Sequence, residues 1–377
     1  MAKQKFKEKN AKTDFVDKID TWDNATFLDK AKITINGEIT NTAIILLGKE
    51  EASHYLLPAQ AQITWKLEGE EKSYEHFCTP LLLSTTKVMQ RIRNIKFKFF
   101  PNNELLSTTV LKYETRTILE ALHNCIAHQN YSLNSRIIVT EKTDRLIFTN
   151  AGSFYEGSPD DYLSGDKTPQ NYRNPFLSNA MVNVGMIDTM GYGIHTMVLA
   201  QRSRFFPLPD YTLSDNPQNV SLQIYGHSID ENYTKLLIER KDLPLTSVVL
   251  LDRVQKKLPI TAEAIAMLKR ERLIAGHKPN LYVAASVAAA TDDKASYIKN
   301  RAFHDEHYKK MIESFIEQYG SANKKDINDL ILENLSNVLS EKQKKSKVNN
   351  IISAMRLGGR ITNIGSDAKS KWVLCKK

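Results

Sequence analysis

The chain reads ILEALHNCIAHQNY from Ile118 to Tyr131, and this stretch, together with the two that follow it, decides the fold. Its apolar residues recur every four positions, which predicts an amphipathic helix. SRIIVTEKTDRLIFTNAG (Ser135–Gly152) predicts a two-stranded hairpin that ends in a glycine turn. YRNPFLSNAMVNVGMIDTMGYGI (Tyr172–Ile194) then adds Arg-Asn-Pro and a Gly-x-Gly-Ile turn before another helix. The order helix, hairpin, glycine turns predicts an α/β layer.

Two polar residues of the first helix are expected to project together. Glu120 and Asn124 are four positions apart, and residues at that spacing share a helix face. In an ATPase of the split-kinase type, such a face holds Mg²⁺ through the amide oxygen beside a catalytic carboxylate. The alternative, which the spacing alone favours, is that both are surface groups. His123 and His128 are five apart, unlike the two histidines of a zinc-binding HExxH helix, and are interpreted as polar helix residues.

Composition sets broad limits on the class of protein. With 377 residues, the chain is long enough for two or three domains. No apolar run approaches the roughly 20 residues of a membrane-spanning helix, and the basic N-terminus has no apolar segment typical of a secretion signal. The three cysteines (Cys78, Cys125 and Cys375) are scattered without metal-binding spacing. These features favour a cytoplasmic protein without zinc and without a membrane partner.

Positive charge is concentrated near the end of the chain. The net charge is +9, and residues 308–377 hold 14 Lys/Arg against 7 Asp/Glu, a local excess of +7. Such a segment is typical of surfaces that bind the phosphates of nucleic acids. A solvated, lysine-rich tail is an equally good interpretation of the charge by itself.

The pattern of elements predicts a succession of segments. A basic flexible arm (1–20) precedes a mixed α/β segment (21–110), a hairpin-containing module (111–240), a winged-helix-like unit (241–290), a linker (291–307) and a C-terminal winged helix-turn-helix (308–377). In the fourth segment, Thr261 is predicted to cap a helix. In the last, three helices precede a two-stranded wing, which is the order of a winged helix.

The presumed recognition helix of the last segment carries many basic residues near its start. We predict that it enters a major groove, with phosphate contacts from lysines and base contacts from Lys347, Asn349 and Asn350. The predicted DNA-binding residues of this helix and of the wing are Lys342, Lys344, Lys345, Lys347, Asn350, Arg360, Lys369 and Lys371.

Other motifs exclude some activities. SGDKT (Ser164–Thr168) is not a P-loop, because an aspartate separates Gly from Lys and no apolar strand precedes it, which argues against a motor helicase. Gly191 and Gly193 either form a tight turn or bind an anion at the start of the following helix. Arg173, before Asn-Pro, either binds phosphate or pairs internally.

EALHNCIAHQNY, RLIFTNAG, RNP, GMIDTMGYGI and LLDRVQKK…LIAGHKPNLYVA together resemble a bacterial family. It comprises RecG-related, ATP-binding transcriptional regulators whose members carry a Schlafen-type AlbA domain, a histidine-kinase-like (GHKL) ATPase module and winged helices. The resemblance covers roughly residues 21–284, and residues 21–110 then represent a remnant of the AlbA-associated region. It implies an α+β fold: a GHKL-like α/β sandwich followed by winged helix-turn-helix domains.

The resemblance also implies roles for individual residues. Glu120 would orient water, Asn124 would bind Mg²⁺, Asn150 and Gly152 would contact adenine, and Gly191 with Gly193 would lie at the phosphates. Arg173 is added as a further nucleotide contact. The family's GHKL pattern has aspartate where this chain has Asn150, so a charge-assisted bond to the adenine amino group is replaced by a neutral one of about half the strength.

From these observations we predict a cytoplasmic, DNA-binding transcriptional regulator with a nucleotide-binding module that uses ATP and Mg²⁺. Its partners would be double-stranded DNA, a nucleotide and a second copy of the chain in a homodimer. Two alternatives stay open: a Mg²⁺-dependent ATPase that switches conformation, and an assembly scaffold without catalytic activity.

Overall fold

The computed structural model describes residues 1–99, 108–188, 190–284, 308–317, 319–332, 341–366 and 370–375. The chain divides into two compact units, Met1–Ser286 and Val287–Lys377. Among the described residues, no helix is both long and apolar enough to cross a membrane.

The first unit combines helices with one large sheet. Its described helices are α1 (Ala2–Lys9), α2 (Asn24–Lys30), α3 (Asn41–Leu47), α4 (Leu81–Arg91), α5 (Thr115–His128), α6 (Pro175–Asn183), α7 (Tyr192–Ser203), α8 (Glu231–Glu239), α9 (Leu245–Gln255) and α10 (Ala262–Arg270). Its strands are β1 (Thr34–Ile35), β2 (Glu38–Ile39), β3 (Ile63–Leu67), β4 (Ser73–Phe77), β5 (Lys96–Phe99), β6 (Thr108–Leu111), β7 (Ile137–Glu141), β8 (Arg145–Ala151), β9 (Asp210–Asp215), β10 (Gln218–Tyr225), β11 (Ile274–His277) and β12 (Asn280–Val283).

Six of these strands form a mixed sheet in the order β4-β3-β7-β8-β10-β9. β3 and β7 run parallel, and every other neighbouring pair is antiparallel. The predicted hairpin is the pair β7–β8, and its register places Phe148 opposite Val139. Because side chains alternate along a strand, Leu146, Phe148 and Asn150 lie on one face of β8. The mixed α+β class predicted from the sequence is confirmed.

Helix α5 packs on β8 and contacts α4, α6 and α7. Its apolar stripe is fully buried, with Ile118, Leu122 and Ile126 at 0–1% exposure. Helices on a sheet bury their apolar face in this way, and the opposite polar residues are left at the rim of the layer. The same helix therefore anchors the core and carries Glu120 and Asn124.

The structure differs from the predicted flexible arm at residues 1–20. Residues Ala2–Lys9 form α1, and Phe6 is buried with its ring edge-on to Phe27 and beside Trp22. Lys9 also donates to the Val182 carbonyl at the end of α6. The prediction of a flexible arm was wrong. It relied on the lysine-rich composition of this segment, whereas the burial of a single aromatic side chain, Phe6, holds the segment against the rest of the unit.

The predicted boundary at residues 110/111 does not separate domains. β3 and β4 precede it, but β3 pairs with β7 in the same sheet as β8. The buried Glu141 carboxylate on β7 also accepts hydrogen bonds from Trp65 Nε1 on β3 and from Arg93 Nε. Hydrogen bonds between strands distant in sequence thus join the two predicted segments into one unit.

Three helices and a hairpin follow the sheet in the order α8, α9, α10, β11, β12. Thr261 accepts a hydrogen bond from the Ala264 amide at the start of α10, as its sequence context predicts for an N-cap. Lys256, directly after α9, joins this region to the sheet because its Nζ lies 2.6 Å from Asp252 and 2.8 Å from Asp210 on β9.

The second unit has its own core. Residues 308–317 are helical (α11), and β13 (Ala322–Asn323), α12 (Lys324–Leu332), α13 (Glu341–Leu357), β14 (Ile361–Asn363) and β15 (Lys371–Leu374) follow. The strands form a sheet in the order β13-β15-β14. Ile312, Ile327, Val348, Ile351 and Trp372 belong to the apolar cluster of this unit. The predicted linker, 291–307, lies outside the described residues.

Candidate functional site

A pocket lies beside α5, at the end of β8 and at the start of α7. Polar groups at its wall come mainly from α5 and from the loop 153–174, here called the pocket loop. The lining residues include Glu120, Asn124, His128, Phe148, Asn150, Phe154, Glu156, Tyr162, Tyr172, Ile187, Asp188, Gly191, Gly193, Ile194, Tyr211, Val220 and Leu222.

Glu120 and Asn124 form a hydrogen-bonded pair at one end of the pocket. Asn124 Nδ2 donates to Glu120 Oε1 at 3.2 Å, so the face shared at a four-residue spacing is present. Since the amide nitrogen is used on the carboxylate, Asn124 Oδ1 is the atom left to accept or to bind a cation. Burial raises the pKa of Glu120, and the nearby Asp188 raises it further, while the bond from Asn124 opposes the shift.

Gly193 and Gly191 bring the start of α7 against this pair. A Cβ at Gly193 would overlap Glu120 Oε1 and lie 3.2 Å from Asn124 Nδ2. Gly191 is the N-cap of α7 and has a φ of 78°, and a Cβ there would lie 2.6 Å from Pro169 Cδ. Glycine is therefore required at both positions to admit the backbone at this end of the pocket. The first N–H groups of a helix have no partner within the helix, so a helix start of this kind suits an anion.

Asn150 lines another part of the pocket near the end of β8, whereas Gly152, directly after that strand, is not among the pocket-lining residues. Asn150 is 6% exposed, and its Nδ2 donates to the Ala151 carbonyl at 3.3 Å. Gly152 has a φ of 105°, and a Cβ there would approach Asn130 Cβ at 3.0 Å and Arg173 Cζ at 3.2 Å. A side chain at position 152 would thus be strained and would displace its neighbours.

The pocket loop is held by its own polar contacts. The Glu156 carboxylate accepts from the Gln170 and Asn171 amides at 2.8–3.2 Å. Asp161 accepts from Lys167 Nζ at 2.8 Å, and this ion pair lowers the pKa of Asp161 to about 2. Tyr162, which lines the pocket, is buried and donates to the Glu156 carbonyl. These bonds hold the pocket loop in a defined conformation.

Arg173 is not among the pocket-lining residues. Its Nη2 donates to the Ser153 carbonyl and hydroxyl at 2.9 and 3.1 Å, and its guanidinium lies over the Tyr155 ring. Arg173 therefore pairs internally, which is the second of the two predicted alternatives, and its contacts with Ser153 and Tyr155 support the pocket loop.

The two histidines of α5 differ from one another in position. His123 faces away from the pocket into the core, where its Nδ1 donates to the Met186 carbonyl at 2.7 Å. His128 lines the pocket and lies beside Tyr172 with nearly parallel rings. Burial lowers the pKa of each ring to about 4, so both imidazoles are neutral at pH 7.

Several lining residues were not singled out in the sequence. Asp188 lies in the quoted GMIDTMGYGI stretch, five residues before Gly193, and its carboxylate accepts from the Met190 amide. The aromatic residues Phe154 and Tyr211 lie edge-on at 6.2 Å between ring centroids. The position of Asp188 close to a glycine turn could have identified it as a site residue from the sequence. Tyr211 could not be identified in this way, because it reaches the pocket only through the pairing of β9 with β10.

The described members of the predicted DNA-binding set lie on α13 and β15, except Arg360, which lies between α13 and β14. On α13, Lys345 and Asn350 are exposed and Lys344 and Lys347 are half-buried, while Lys371 is exposed on β15. Arg360 lies 3.5 Å from the Glu313 carboxylate, so an ion pair within the unit already uses it. Lys342 is in α13, but its side chain lies outside the described residues, as does Lys369.

The residues at the Glu120 end have the chemistry to contact a Mg²⁺-bound nucleotide, but they supply few ligands for the metal itself. A Cβ at Gly193 would clash with Glu120, so glycine there lets the backbone at the start of α7 lie directly beside the Glu120 carboxylate and the Asn124 amide. Across the described parts of the chain, no group of three or more His, Cys, Asp or Glu residues could hold a metal by itself. A Mg²⁺ ion here would therefore need ligand phosphates and water beside the Asn124 oxygen, as is usual for Mg²⁺ bound with nucleotides.

Comparison with known proteins gives one informative match. Residues 134–222 match the family model described as "Putative ATP-dependent DNA helicase recG C-terminal". An ATPase-like module related to that family is therefore present. The matched range includes Asn150, Gly152, Arg173, Gly191 and Gly193, and begins after α5, so Glu120 and Asn124 lie outside it.

No curated protein matches the sequence. A crystal structure of the DIP2311 protein from Corynebacterium diphtheriae superposes with a TM-score of 0.48 at 13% identity, over 99% of this chain and 66% of that one. This chain therefore corresponds to 66% of the length of that chain.

Proposed function

We propose that the first unit binds a nucleotide with Mg²⁺ and that the second unit binds double-stranded DNA, so that the protein is a nucleotide-responsive transcriptional regulator. The observation that supports it is the convergence of Glu120, Asn124, Asn150, Gly191 and Gly193 on one pocket. The match of residues 134–222 to an ATPase-like family supports the same ligand class.

In this proposal, the two ends of the pocket hold different parts of the nucleotide. Asn124 Oδ1 and the start of α7 face the phosphates, because an amide oxygen suits Mg²⁺ and helix N–H groups suit anions. Mg²⁺, when bound, neutralises phosphate charge. Glu120 keeps Asn124 oriented through their hydrogen bond, and Gly193 lets the start of α7 lie beside the pair.

Calorimetric titration with Mg-ATP and Mg-ADP tests the nucleotide site. We expect saturable binding by the wild-type protein and at least tenfold weaker binding by Asn124→Ala. Asn219→Ala, which removes an amide on β10 that does not line the pocket, should bind as wild type does and separates the loss of a Mg²⁺ ligand from a general loss of amide groups. Absence of binding by a folded wild-type protein would contradict the proposal.

Hydrolysis is the second candidate activity, because Glu120 is positioned on the same face as Asn124 and lines the pocket. Its ionised carboxylate would accept the proton of an attacking water, whose oxygen then bonds to the terminal phosphorus as the bond to the leaving phosphate oxygen breaks. Phosphate release that disappears in Glu120→Gln, with nucleotide affinity retained, would establish an ATPase switch. Nucleotide binding without hydrolysis would indicate a nucleotide sensor. Absence of both binding and hydrolysis would indicate an assembly scaffold.

The element order of the second unit supports a DNA-binding role. Helix, strand, two helices and two strands, with the sheet order β13-β15-β14, is the arrangement of a winged helix-turn-helix, in which α13 would be the recognition helix. Exposed Lys345 and Asn350 lie on α13, and Lys371 lies on the wing. Phosphate contacts by lysines of this surface would supply most of the affinity, and Lys347, Asn349 and Asn350 would contact bases.

A charge-reversal series tests this surface. Changing Lys344, Lys345 and Lys347 to Glu should abolish binding of duplex DNA at physiological salt. If Lys344 and Lys345 each contact one phosphate, milder Lys→Ala changes at these two positions should reduce the slope of log K against log[salt] by about 1.8.

The matched control changes three exposed lysines of the first unit, Lys30, Lys72 and Lys87, to Glu. It alters the net charge equally and should leave DNA affinity within about threefold of wild type. Equal losses in the two triple variants would show that only overall charge matters and would refute the assignment of α13.

Two further parts of the proposal concern assembly and location. We propose a homodimer, because paired winged helices match symmetric half-sites, and light scattering with and without Mg-ATP measures it. We also propose a cytoplasmic location, in agreement with the free thiols of Cys78, Cys125 and Cys375.

A further inference from the structure

The wall of the pocket carries negative charge, which disfavours phosphates. Three carboxylates line it, those of Glu120, Glu156 and Asp188, and no lysine or arginine is among the lining residues that the structure describes. Hydrogen bonds from the Asn171 and Gln170 amides lower the pKa of Glu156, so this carboxylate is ionised at neutral pH. Because like charges at short range repel, a nucleotide bound here needs cations other than the lining residues for its phosphates.

Three basic residues beside the pocket are already engaged within the protein. Lys9 donates to a backbone carbonyl at the end of α6. Lys167 pairs with Asp161 of the pocket loop, and Arg173 is bonded to Ser153. A phosphate could recruit one of these side chains only by breaking a contact that the structure already contains.

Arg116 differs from these three residues because it has no such contact. It lies in the first turn of α5 with an exposed side chain, and in the part of the chain that the structure describes it makes no hydrogen bond or ion pair. Glu120 follows it by four residues, so the two share a face of the helix and are one turn apart. Side chains of a helix lean towards its N-terminus, which directs the Glu120 carboxylate over the turn that holds Arg116.

The two side chains are close enough to interact electrostatically. Burial raises the pKa of Glu120 and Asp188 raises it further, while the positive charge of Arg116 opposes the increase. A cation in the first turn does not stabilise the helix, because this turn is the positive end of the helix dipole. The Glu114 carboxylate accepts from the Thr117 amide and hydroxyl instead of from Arg116. No contact among the described residues therefore accounts for this arginine, whereas an anion at the Glu120 end would pair with it.

We propose that Arg116 contacts the terminal phosphate of a bound nucleoside triphosphate and thereby makes the pocket select triphosphates over diphosphates. This inference rests on the proposed nucleotide site, in which the phosphates lie beside Asn124 and Glu120. The pocket extends along α5 from His128 to Glu120, so the outermost phosphate is the one nearest to Arg116. A guanidinium pairs with phosphate oxygens through two parallel N–H groups, and its long stem covers one helical turn. A diphosphate lacks the outermost phosphate and loses this contact.

Calorimetric titration of the full chain with Mg-ADP and with the Mg²⁺ complex of the β,γ-imido analogue of ATP, which is not hydrolysed, tests the proposal. Arg116→Gln should weaken binding of the triphosphate analogue at least tenfold and binding of Mg-ADP less than threefold. Arg270→Gln is the matched control, because it removes the same charge from an exposed arginine of α10 that does not line the pocket. It should leave both affinities unchanged.

Unfolding in urea separates a phosphate contact from a structural role. Arg116→Gln removes no hydrogen bond or ion pair that the described residues contain, and it removes a cation from the positive end of the helix dipole. Its stability should therefore equal or exceed that of wild type. A protein that is clearly destabilised or does not fold would show that Arg116 serves the fold, and would overturn the inference.

The outcomes of the titrations distinguish this inference from the proposed function. Failure of folded wild type to bind either nucleotide would overturn both. Binding by wild type together with equal losses of the two nucleotides in Arg116→Gln, or with no loss of either, would keep the nucleotide site and overturn the role of Arg116. Wild type that binds Mg-ADP and not the triphosphate analogue would do the same.

Discussion

Acid should destabilise the first unit through His123. This ring is 8% exposed, and burial lowers its pKa to about 4, compared with about 6.5 in an unfolded chain. The unfolded state therefore binds more protons than the folded state between pH 4 and 6.5, and stability falls as the pH is lowered through that range. Between pH 7.5 and pH 5, this one histidine should cost about 2 kcal/mol of unfolding free energy.

Replacement by asparagine isolates the effect. Because His123 Nδ1 donates to the Met186 carbonyl at 2.7 Å, the side-chain amide introduced by His123→Asn can supply a similarly placed donor without a titrating group. Unfolding in urea is measured at pH 7.5 and at pH 5, with tryptophan fluorescence as the signal. The variant should lose about 2 kcal/mol less than wild type between the two conditions.

His54→Asn removes a histidine from an exposed position and should retain the wild-type dependence on pH. An identical loss of stability in wild type and His123→Asn would show that the ring is not held neutral. A resonance of the His123 ring that titrates near pH 6.5 in the folded protein would lead to the same conclusion.

Three other perturbations have defined outcomes. Gly193→Ala introduces a Cβ that overlaps the Glu120 carboxylate and should weaken nucleotide binding at least tenfold. Gly69→Ala, whose Cβ would have no atom beyond its chain neighbours nearer than 3.9 Å, should leave nucleotide binding unchanged. Equal effects of the two variants in calorimetry would contradict a role for the close packing at Gly193. Lys256→Met leaves the carboxylates of Asp210 and Asp252 without their cation, in a site where the lysine side chain is 6% exposed. Urea unfolding should show that the free energy of unfolding falls by about 3–5 kcal/mol. A decrease below about 1 kcal/mol would be evidence against the buried network. Thr261→Ala removes an N-cap and should cost about 1 kcal/mol, seen as faster amide exchange confined to the start of α10; exchange that is unchanged there would refute the cap.

Periodic patterns predicted the local elements well. The repeat of apolar residues in Ile118–Tyr131 identified α5, and the run from Ser135 to Gly152 identified the β7–β8 hairpin, because each element buries one face with its own period. The capping threonine at 261 was also readable, since a cap depends on three or four neighbouring residues.

Contacts made by a single buried residue, or between strands far apart in the chain, could not be predicted from local patterns. The N-terminal arm was predicted as flexible because lysines dominate it, and only the fold shows that Phe6 fills a space beside Phe27. The boundary at residue 110 was also misplaced, since nothing local in ITWKL indicates that β3 will pair with β7 some 70 residues later. Sheet pairing is a long-range choice, made by burial of both partners at once.

The sequence by itself determined which residue types meet on a helix face, where glycines allow sharp turns, and where positive charge accumulates, because these depend on spacing of a few residues. The tertiary structure decided that Glu120, Asn150 and Gly193 line one pocket, that Arg173 is used for support, and that Arg360 is paired with Glu313. The physical reason is that convergence depends on how helices and strands distant in the chain pack to bury their apolar faces, and the polar groups at the rim of that packing are brought together as its consequence.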